Sequence, residues 1–125
     1  MIKLHIYDFS GQKKFSSIIN PYFKEANGII LIYDVTQESS FNALNNWITI
    51  IKEKAPQANI VLVGQKCDLI ERAITEDKIK ELTDEYGIEY FEVSAKIDYN
   101  INEVFDNLIQ QCMFNTYEAA DIGAV

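Results

Sequence analysis

The sequence is poor in the residues that build metal centres and covalent cross-links. Only two of its 125 residues are cysteines, Cys67 and Cys112, and only one, His5, is a histidine. The two cysteines lie far apart and outside any Cys-x-x-Cys or Cys/His cluster, which argues against a structural zinc site. Nothing suggests a disulfide framework either, so we expect reduced thiols in an intracellular protein.

Long apolar segments and an excess of basic residues are missing as well. The longest apolar run, 29–33, is far too short to cross a bilayer, and the first residues do not form a secretory signal. The sequence has 11 Lys and Arg against 19 Asp and Glu, a formal net charge of −8. Because nucleic acid and anionic lipid attract basic surfaces, this balance argues against both as non-specific partners. We expect a cytoplasmic protein.

Alternating strand and helix patterns are what the sequence does contain. Hydrophobic residues make up 48% of it, enough for a core. Ile2, Leu4 and Ile6 alternate with polar residues, which predicts a half-buried strand over 2–8. Two continuous apolar runs predict strands buried on both faces, as in a parallel sheet. These two runs and a predicted fourth strand occupy residues 28–34, 60–64 and 88–93, respectively.

Helical periodicity fills the segments between these strands. Apolar residues recur at three- and four-residue steps behind Ser39 and again behind Thr75, and both residues suit the N-cap position. A last helix is predicted over 101–112, where one face is apolar. The segment 13–26 is less regular and Pro21 interrupts it, so we expect a short or broken helix there. Strands that alternate with helices predict an α/β domain with a parallel sheet.

Short polar motifs follow three of the predicted strands at the point where each strand ends. They are DFSGQ at 8–12, GQKCD at 64–68 and SAK at 94–96. Ligands of open α/β sheets bind beyond the carboxyl ends of the strands, so these positions matter for function. Each motif is weak alone, but together and in this order they form a strong signal. Asp34 also ends a predicted strand, and we interpret it as a turn residue.

The sequence resembles the small GTPases of the Ras superfamily, and most closely the Rab branch. The segments that carry the resemblance are KLHIYDFSGQKKF, PYFKEANGIILIYDVTQESSFNALNNW, VLVGQKCDL and YFEVSAK, in the order and spacing of the family. Together they extend over roughly residues 2–114. The resemblance implies a P-loop-NTPase-like (small GTPase) α/β fold, a parallel sheet with flanking helices that is incomplete at the N-terminus. We expect residues 1–115 to form this partial domain and 116–125 to form a short flexible tail.

The resemblance implies that the first motif handles Mg²⁺ and phosphate. Asp8 would help to hold Mg²⁺ through water, as carboxylates do after apolar strands in phosphate-binding folds. Gly11 would present its backbone N–H to the γ-phosphate, where a side chain would block close approach. Gln12 would orient the water that attacks the phosphate. The cofactors implied are GTP or GDP with Mg²⁺.

The other two motifs would bind the guanine base. Asp68 would accept two hydrogen bonds from the guanine edge, which adenine does not supply. Lys66 would lay its aliphatic stem along the plane of the base. Ala95 would donate its backbone N–H to the guanine carbonyl, while Ser94 and Lys96 would hold the loop.

Gln65 belongs to the same base-binding set but departs from the family pattern. The family's NKxD motif has asparagine at the position that Gln65 occupies here. We expect the extra methylene of glutamine to displace an amide that ties the base loop to the neighbouring strands.

The phosphate-binding loop of the family, GxxxxGK[ST], is not found in the sequence. The five glycines are Gly11, Gly28, Gly64, Gly87 and Gly123, and none is followed by Lys-Ser or Lys-Thr. By resemblance, the chain begins at the family's third strand. Because a backbone nest and a lysine cradle the phosphates in this family, we expect no tight binding of GTP. The family's first helix is missing too, so we expect an exposed apolar strip on the sheet face that only the final helix covers.

The resemblance implies a switch in vesicle-mediated protein transport that binds and hydrolyses GTP. It would act on the cytosolic face of endomembranes if the parent protein carries a lipid anchor, although the tail lacks the terminal cysteines that receive prenyl groups. Effectors or regulators would bind around 12–24, where Tyr22 and Phe23 either contact partners or pack in the core. The alternative is a non-enzymatic, Rab-like pseudo-GTPase that binds partners through the same surface. An exon encoding GxxxxGK[ST] upstream of the Met1 codon would favour a truncated GTPase, and an in-frame stop would favour a genuine short protein.

Overall fold

The computed structural model describes residues 3–8 and 23–123. This part of the chain contains three strands and four helices. In chain order they are β1 (Gly28–Asp34), α1 (Glu38–Asn42), α2 (Leu44–Lys54), β2 (Asn59–Gln65), α3 (Glu76–Tyr86), β3 (Glu89–Val93) and α4 (Ile101–Gly123). The strands form one sheet in the order β1-β2-β3, and both pairings are parallel. The predicted α/β class with a parallel sheet is confirmed.

Helices cover both faces of the sheet, because buried strands send alternate side chains to opposite sides. One face packs against α2 and α3 in a first core that includes Ile48 and Leu62. The other face packs against α4 in a second core that includes Val61 and Val104. The connecting helices therefore share one face and the last helix takes the other, as right-handed crossovers predict. Trp47 on α2 packs against the first core.

The face that α4 covers leaves an apolar side chain exposed in β1. Ile32, in the middle of this strand, is 58% exposed. Ile30, which lies on the same face by strand alternation, packs against the second core. The exposed apolar surface predicted for this face is confirmed at Ile32.

Local hydrogen bonds explain where two of the helices begin. α3 begins behind Thr75, whose side-chain oxygen accepts a hydrogen bond from the Lys78 N–H, as predicted. α1 begins one residue before Ser39, so the prediction that Ser39 is the N-cap is wrong. The hydroxyl of Ser40 donates to the carbonyl of Gln37 at 2.7 Å, and Gln37 occupies the cap position.

Residues 3–8 do not form the predicted strand. They lie outside the sheet, and Leu4 and Ile6 are 50% and 68% exposed. A strand is stable only when its backbone groups pair with a neighbour, and the pairings of the described sheet involve β1, β2 and β3 alone. The alternation of apolar residues predicted which side chains would share one face of a strand. It contained no information about which strand this segment would pair with.

α4 continues beyond the predicted helix end at residue 112. It runs to Gly123, so the backbone of 116–123 is helical where the sequence predicted an aperiodic tail. Residues 116–122 contain no proline or glycine, and their glutamate and alanines are good helix formers. In the part of the chain that the structure describes, no helix is both long and apolar enough to span a bilayer.

Replacing Ile48 by valine removes one methylene from the first core, where Ile48 is 0% exposed. We expect Ile48→Val to lower the free energy of unfolding by about 0.5–1.5 kcal/mol, because burial is lost and a small cavity remains. Urea unfolding followed by circular dichroism measures the change. The matched control is Ile70→Val, since Ile70 is 95% exposed. An equal loss of stability in the two variants would contradict the described core.

Candidate functional site

A cavity opens at the edge of the sheet where β2 and β3 end. Its volume is about 350 Å³, within the range of small-molecule sites. In the parallel register Gln65 lies opposite Val93. The loop after β2 and the loop after β3 therefore begin next to each other. The residues that line the cavity are Gln65, Lys66, Asp68, Leu69, Ser94, Ala95 and Lys96. The structure thus brings together all the residues that the sequence assigned to base binding, and it adds Leu69.

The chain turns sharply at Lys66 as it leaves β2. Lys66 has a φ of 69°, a left-handed conformation that costs a non-glycine residue roughly 1–2 kcal/mol. Backbone hydrogen bonds hold the turn, since the Leu69 N–H donates to the Lys66 carbonyl at 3.0 Å. The Cys67 N–H donates to the Val93 carbonyl, also at 3.0 Å, and so fixes the turn relative to β3. Strained backbone that its surroundings hold in place is typical of functional sites.

A hydrogen bond between Asp68 and Ser94 joins the loop after β2 to the loop after β3 at the cavity. Ser94 is fully buried, and its hydroxyl donates a hydrogen bond of 2.7 Å to Oδ1 of Asp68. Ser94 also exchanges two backbone hydrogen bonds with Tyr99, which closes the loop that carries Ala95 and Lys96. A carboxylate offers about four acceptor positions, so Asp68 keeps acceptor capacity for a ligand in the cavity.

The side-chain amide of Gln65 bridges the same two loops. Its Oε1 accepts hydrogen bonds from the backbone N–H of Lys66 at 3.2 Å and from that of Ala95 at 3.3 Å. The expectation that the extra methylene displaces this amide is therefore wrong. The physical reason is the strand register, because Gln65 lies opposite Val93, two residues before Ala95, and the longer side chain spans that offset.

Lys66 forms an ion pair with Asp34 at the end of β1. Its Nζ lies 2.6 Å from Oδ2 of Asp34, and both the N–H and the hydroxyl of Thr36 donate to Oδ1. Burial alone would raise the pKa of Asp34, but the hydrogen bonds from Lys66 and Thr36 outweigh it and lower the pKa to about 2. Asp34 is a turn residue, as the sequence predicted, and it is also the partner of a cavity lysine.

Comparison with known proteins assigns these features to one family. A family model described as the Ras family matches residues 1–114. The chain belongs to the Ras family. The Ras-related protein RAB1BV of Beta vulgaris is 50% identical over 107 residues, which are 83% of this chain and 50% of that protein. The Ras-related proteins Rab-3 of Caenorhabditis elegans and Rab-3A of Homo sapiens are 42% and 39% identical, over 87% and 96% of this chain and 51% and 56% of their own lengths.

The names of these relatives place the Ras-family chain in the Rab branch, which confirms the resemblance carried by its motifs. The chain spans about half the length of the curated relatives it matches. The geometry thus shows the α/β fold class, and the comparisons show the family and its branch.

A polar network that joins β1, β3 and the loop after β2 was not predicted from the sequence. The hydroxyls of Tyr33 and Tyr90 lie 2.8 Å apart, and the Tyr90 hydroxyl donates to Oε1 of Glu92 at 3.3 Å. Arg72 donates two hydrogen bonds to Glu92, at 2.7 and 2.9 Å, and a third to the carbonyl of Cys67. The bonds from Arg72 lower the pKa of Glu92 and keep it charged. The sequence contains a signal for the pairing of these two residues. Arg72 is the sole arginine of the sequence, and Glu92 interrupts an apolar strand.

The remaining predicted residues lie away from the cavity or outside the described part of the chain. Asp8 is exposed, does not end a strand and does not line the cavity. Gly11, Gln12 and Tyr22 lie outside the described residues, so the roles assigned to them remain predictions. Phe23 packs against the first core, which favours core packing over partner contact for this side chain.

The described residues fit a planar base better than a metal ion. Within 3–8 and 23–123, no three His, Cys, Asp or Glu side chains come together as metal ligands. The cavity instead combines the Asp68 carboxylate with the backbone of Ala95 and the apolar side chain of Leu69. Hydrogen-bonding groups beside an apolar wall are typical of sites for small molecules.

The ion pair between Asp34 and Lys66 predicts how stability changes in acid. Because the folded pKa of Asp34 is lowered to about 2, its contribution is complete at neutral pH and is lost as the pH falls from about 4 towards 2. We expect Asp34→Asn to lower the free energy of unfolding by about 1 kcal/mol at pH 6. This loss should shrink steadily as the pH approaches 3, and urea titrations across the range measure it.

The matched control for this experiment is Asp84→Asn. Asp84 pairs with Lys80 at 2.8 Å, but both side chains are exposed on α3 and solvent screens the pair. We expect the control to lower the free energy of unfolding less than Asp34→Asn does at pH 6. A loss in Asp34→Asn that is the same at pH 6 and pH 3 would show that the ion pair does not stabilise the fold.

Proposed function

We propose that this chain provides the guanine-binding part of a Rab-type small GTPase. GTP and GDP are its alternating ligands in this role, and hydrolysis of GTP switches the binding of partners in vesicle-mediated transport. The supporting observation is the cavity at the ends of β2 and β3, whose walls come from both base-binding motifs. Membership of the Rab branch supports the same role.

Asp68 is the residue that distinguishes guanine from adenine in this proposal. The guanine edge carries a ring N–H beside an amino group, and both donate hydrogen bonds. Adenine presents an amino group beside an acceptor nitrogen. The bond from Ser94 leaves acceptor capacity on Asp68 for two donors. Adenine leaves part of the desolvated carboxylate without a partner, which costs about 1–3 kcal/mol or more.

Lys66 and Ala95 complete the contacts to the base. Ala95 lines the cavity with its backbone N–H directed to the Gln65 side chain, and in the complex this N–H donates to the guanine carbonyl. Lys66 covers the plane of the base with its aliphatic stem while its Nζ is held near Asp34. Leu69 adds an apolar wall.

Hydrolysis and switching depend on residues outside this cavity. In the proposal, Gln12 orients the attacking water and Gly11 contacts the γ-phosphate, while Asp8 would help to hold Mg²⁺ through water if the ion is bound as in the family. Effectors or regulators bind around 12–24, on the cytosolic side of endomembranes. The 125-residue sequence contains no GxxxxGK[ST] pattern, so we expect base contacts to dominate nucleotide binding by this chain.

The preference for guanine over adenine tests the proposal through Asp68. We expect the 125-residue chain to bind GMP at least about tenfold more tightly than AMP, because hydrogen bonds to a charged group are strong. Asp68→Asn preserves the shape of the side chain and an oxygen for Ser94, but it replaces one acceptor by a donor. The ratio of the two dissociation constants, measured by calorimetry, should fall to about one in this variant.

The matched control is Asp106→Asn, which removes an exposed carboxylate from α4, outside the cavity. This variant should keep the preference of the unmodified chain. Equal binding of GMP and AMP by the unmodified chain would contradict the proposal. A preference that survives Asp68→Asn would contradict the role given to Asp68.

A further inference from the structure

The Ala95 N–H is the one base-contacting group whose hydrogen-bonding capacity is fully used in this structure. Asp68 has about four acceptor positions and gives one of them to Ser94. The Lys66 ammonium has three donors and directs one of them to Asp34. A backbone N–H has a single proton, and that of Ala95 is bonded to Oε1 of Gln65 at 3.3 Å.

We propose that the Gln65 side chain competes with the guanine carbonyl for the Ala95 N–H, so that Gln65 limits the affinity and specificity for guanine. The proposal rests on the proposed function, in which Ala95 contacts the base. A ligand carbonyl that enters the cavity has to displace Gln65 Oε1 before it can accept this hydrogen bond. Gln65 is thus a specificity-determining residue that acts through Ala95.

The geometry indicates how strong this competition is. The bond to Ala95 is long, and Oε1 shares its lone pairs with the Lys66 N–H at 3.2 Å. Breaking this hydrogen bond so that the ligand can accept from Ala95 therefore costs a small but non-zero free energy. We expect Gln65 to weaken the binding of guanine about threefold to tenfold, the range expected for one intramolecular hydrogen bond. Adenine, whose amino group is a donor at the equivalent position, gains nothing from a released N–H.

Three substitutions at Gln65 separate the acceptor from the packing of the side chain. Gln65→Met keeps the length of the side chain and removes the oxygen. Gln65→Glu keeps an acceptor oxygen, now charged, and serves as the matched control. Gln65→Ala is a second variant without the acceptor and should behave as Gln65→Met does. The ¹⁵N-labelled 125-residue chain is used throughout.

The first measurement follows the Ala95 amide proton without ligand. In Gln65→Met and Gln65→Ala we expect its resonance to move upfield and its exchange with solvent to become faster, because the proton loses its acceptor. In Gln65→Glu the proton should stay protected. An Ala95 amide that is unchanged in both variants without the acceptor would overturn the proposal.

The second measurement is a titration of the same proteins with GMP and AMP. We expect the GMP affinity of Gln65→Met to rise about threefold to tenfold above that of the unmodified chain, while its AMP affinity stays the same. Gln65→Glu should bind GMP no better than the unmodified chain. A merely structural role for Gln65 would weaken both nucleotides in Gln65→Met, and that result would overturn the proposal.

The outcomes also separate this inference from the function on which it rests. If the unmodified chain and Gln65→Met prefer GMP over AMP to the same extent, the proposed function stands and the competition is wrong. If no protein in the series prefers GMP, the proposed function fails, and the competition fails with it.

Discussion

The parallel pairing of β2 with β3 is the constraint on which the site depends. Its register places Gln65 opposite Val93, so the loops that follow start side by side at one edge of the sheet. The hydrogen bond from the Cys67 N–H to the Val93 carbonyl continues this pairing into the first loop. Without that alignment, Asp68 and Ala95 would not line one cavity. β2 is buried over most of its length, so a slip in register would move its apolar side chains out of the two cores and is strongly disfavoured.

The polar network of Tyr33, Tyr90, Glu92 and Arg72 connects β1 and β3 with the loop after β2. The hydroxyls of Tyr33 and Tyr90 meet over Gly64, where a Cβ atom would lie 2.5 Å from the Tyr90 oxygen. The absence of a side chain at Gly64 is therefore what allows β1 and β3 to be joined across β2. Through Glu92 and Arg72 the same network reaches the loop after β2. The loop after β2 is thus held to β3 by side-chain hydrogen bonds, which help to preorganise it for a ligand.

Much of the fold and of the cavity was predictable from sequence, because buried parallel strands form continuous apolar runs and ligands bind at their carboxyl ends. The side-chain contacts that position the cavity residues were not predictable from the sequence. The ion pair of Asp34 with Lys66 and the bond of Gln65 to Ala95 depend on register and side-chain reach, which no local pattern contains. The error at 3–8 has the same origin, since alternation specifies a face and not a partner strand.

We propose above all that the loops after β2 and β3 together bind a guanine base. Amide chemical shifts of the ¹⁵N-labelled chain during a titration with GMP test it most directly. We expect the amide resonances of residues 64–69 and 93–97 to shift together with one dissociation constant, while those of α3 stay in place. No response in either loop, or shifts centred on α3 or α4, would contradict it.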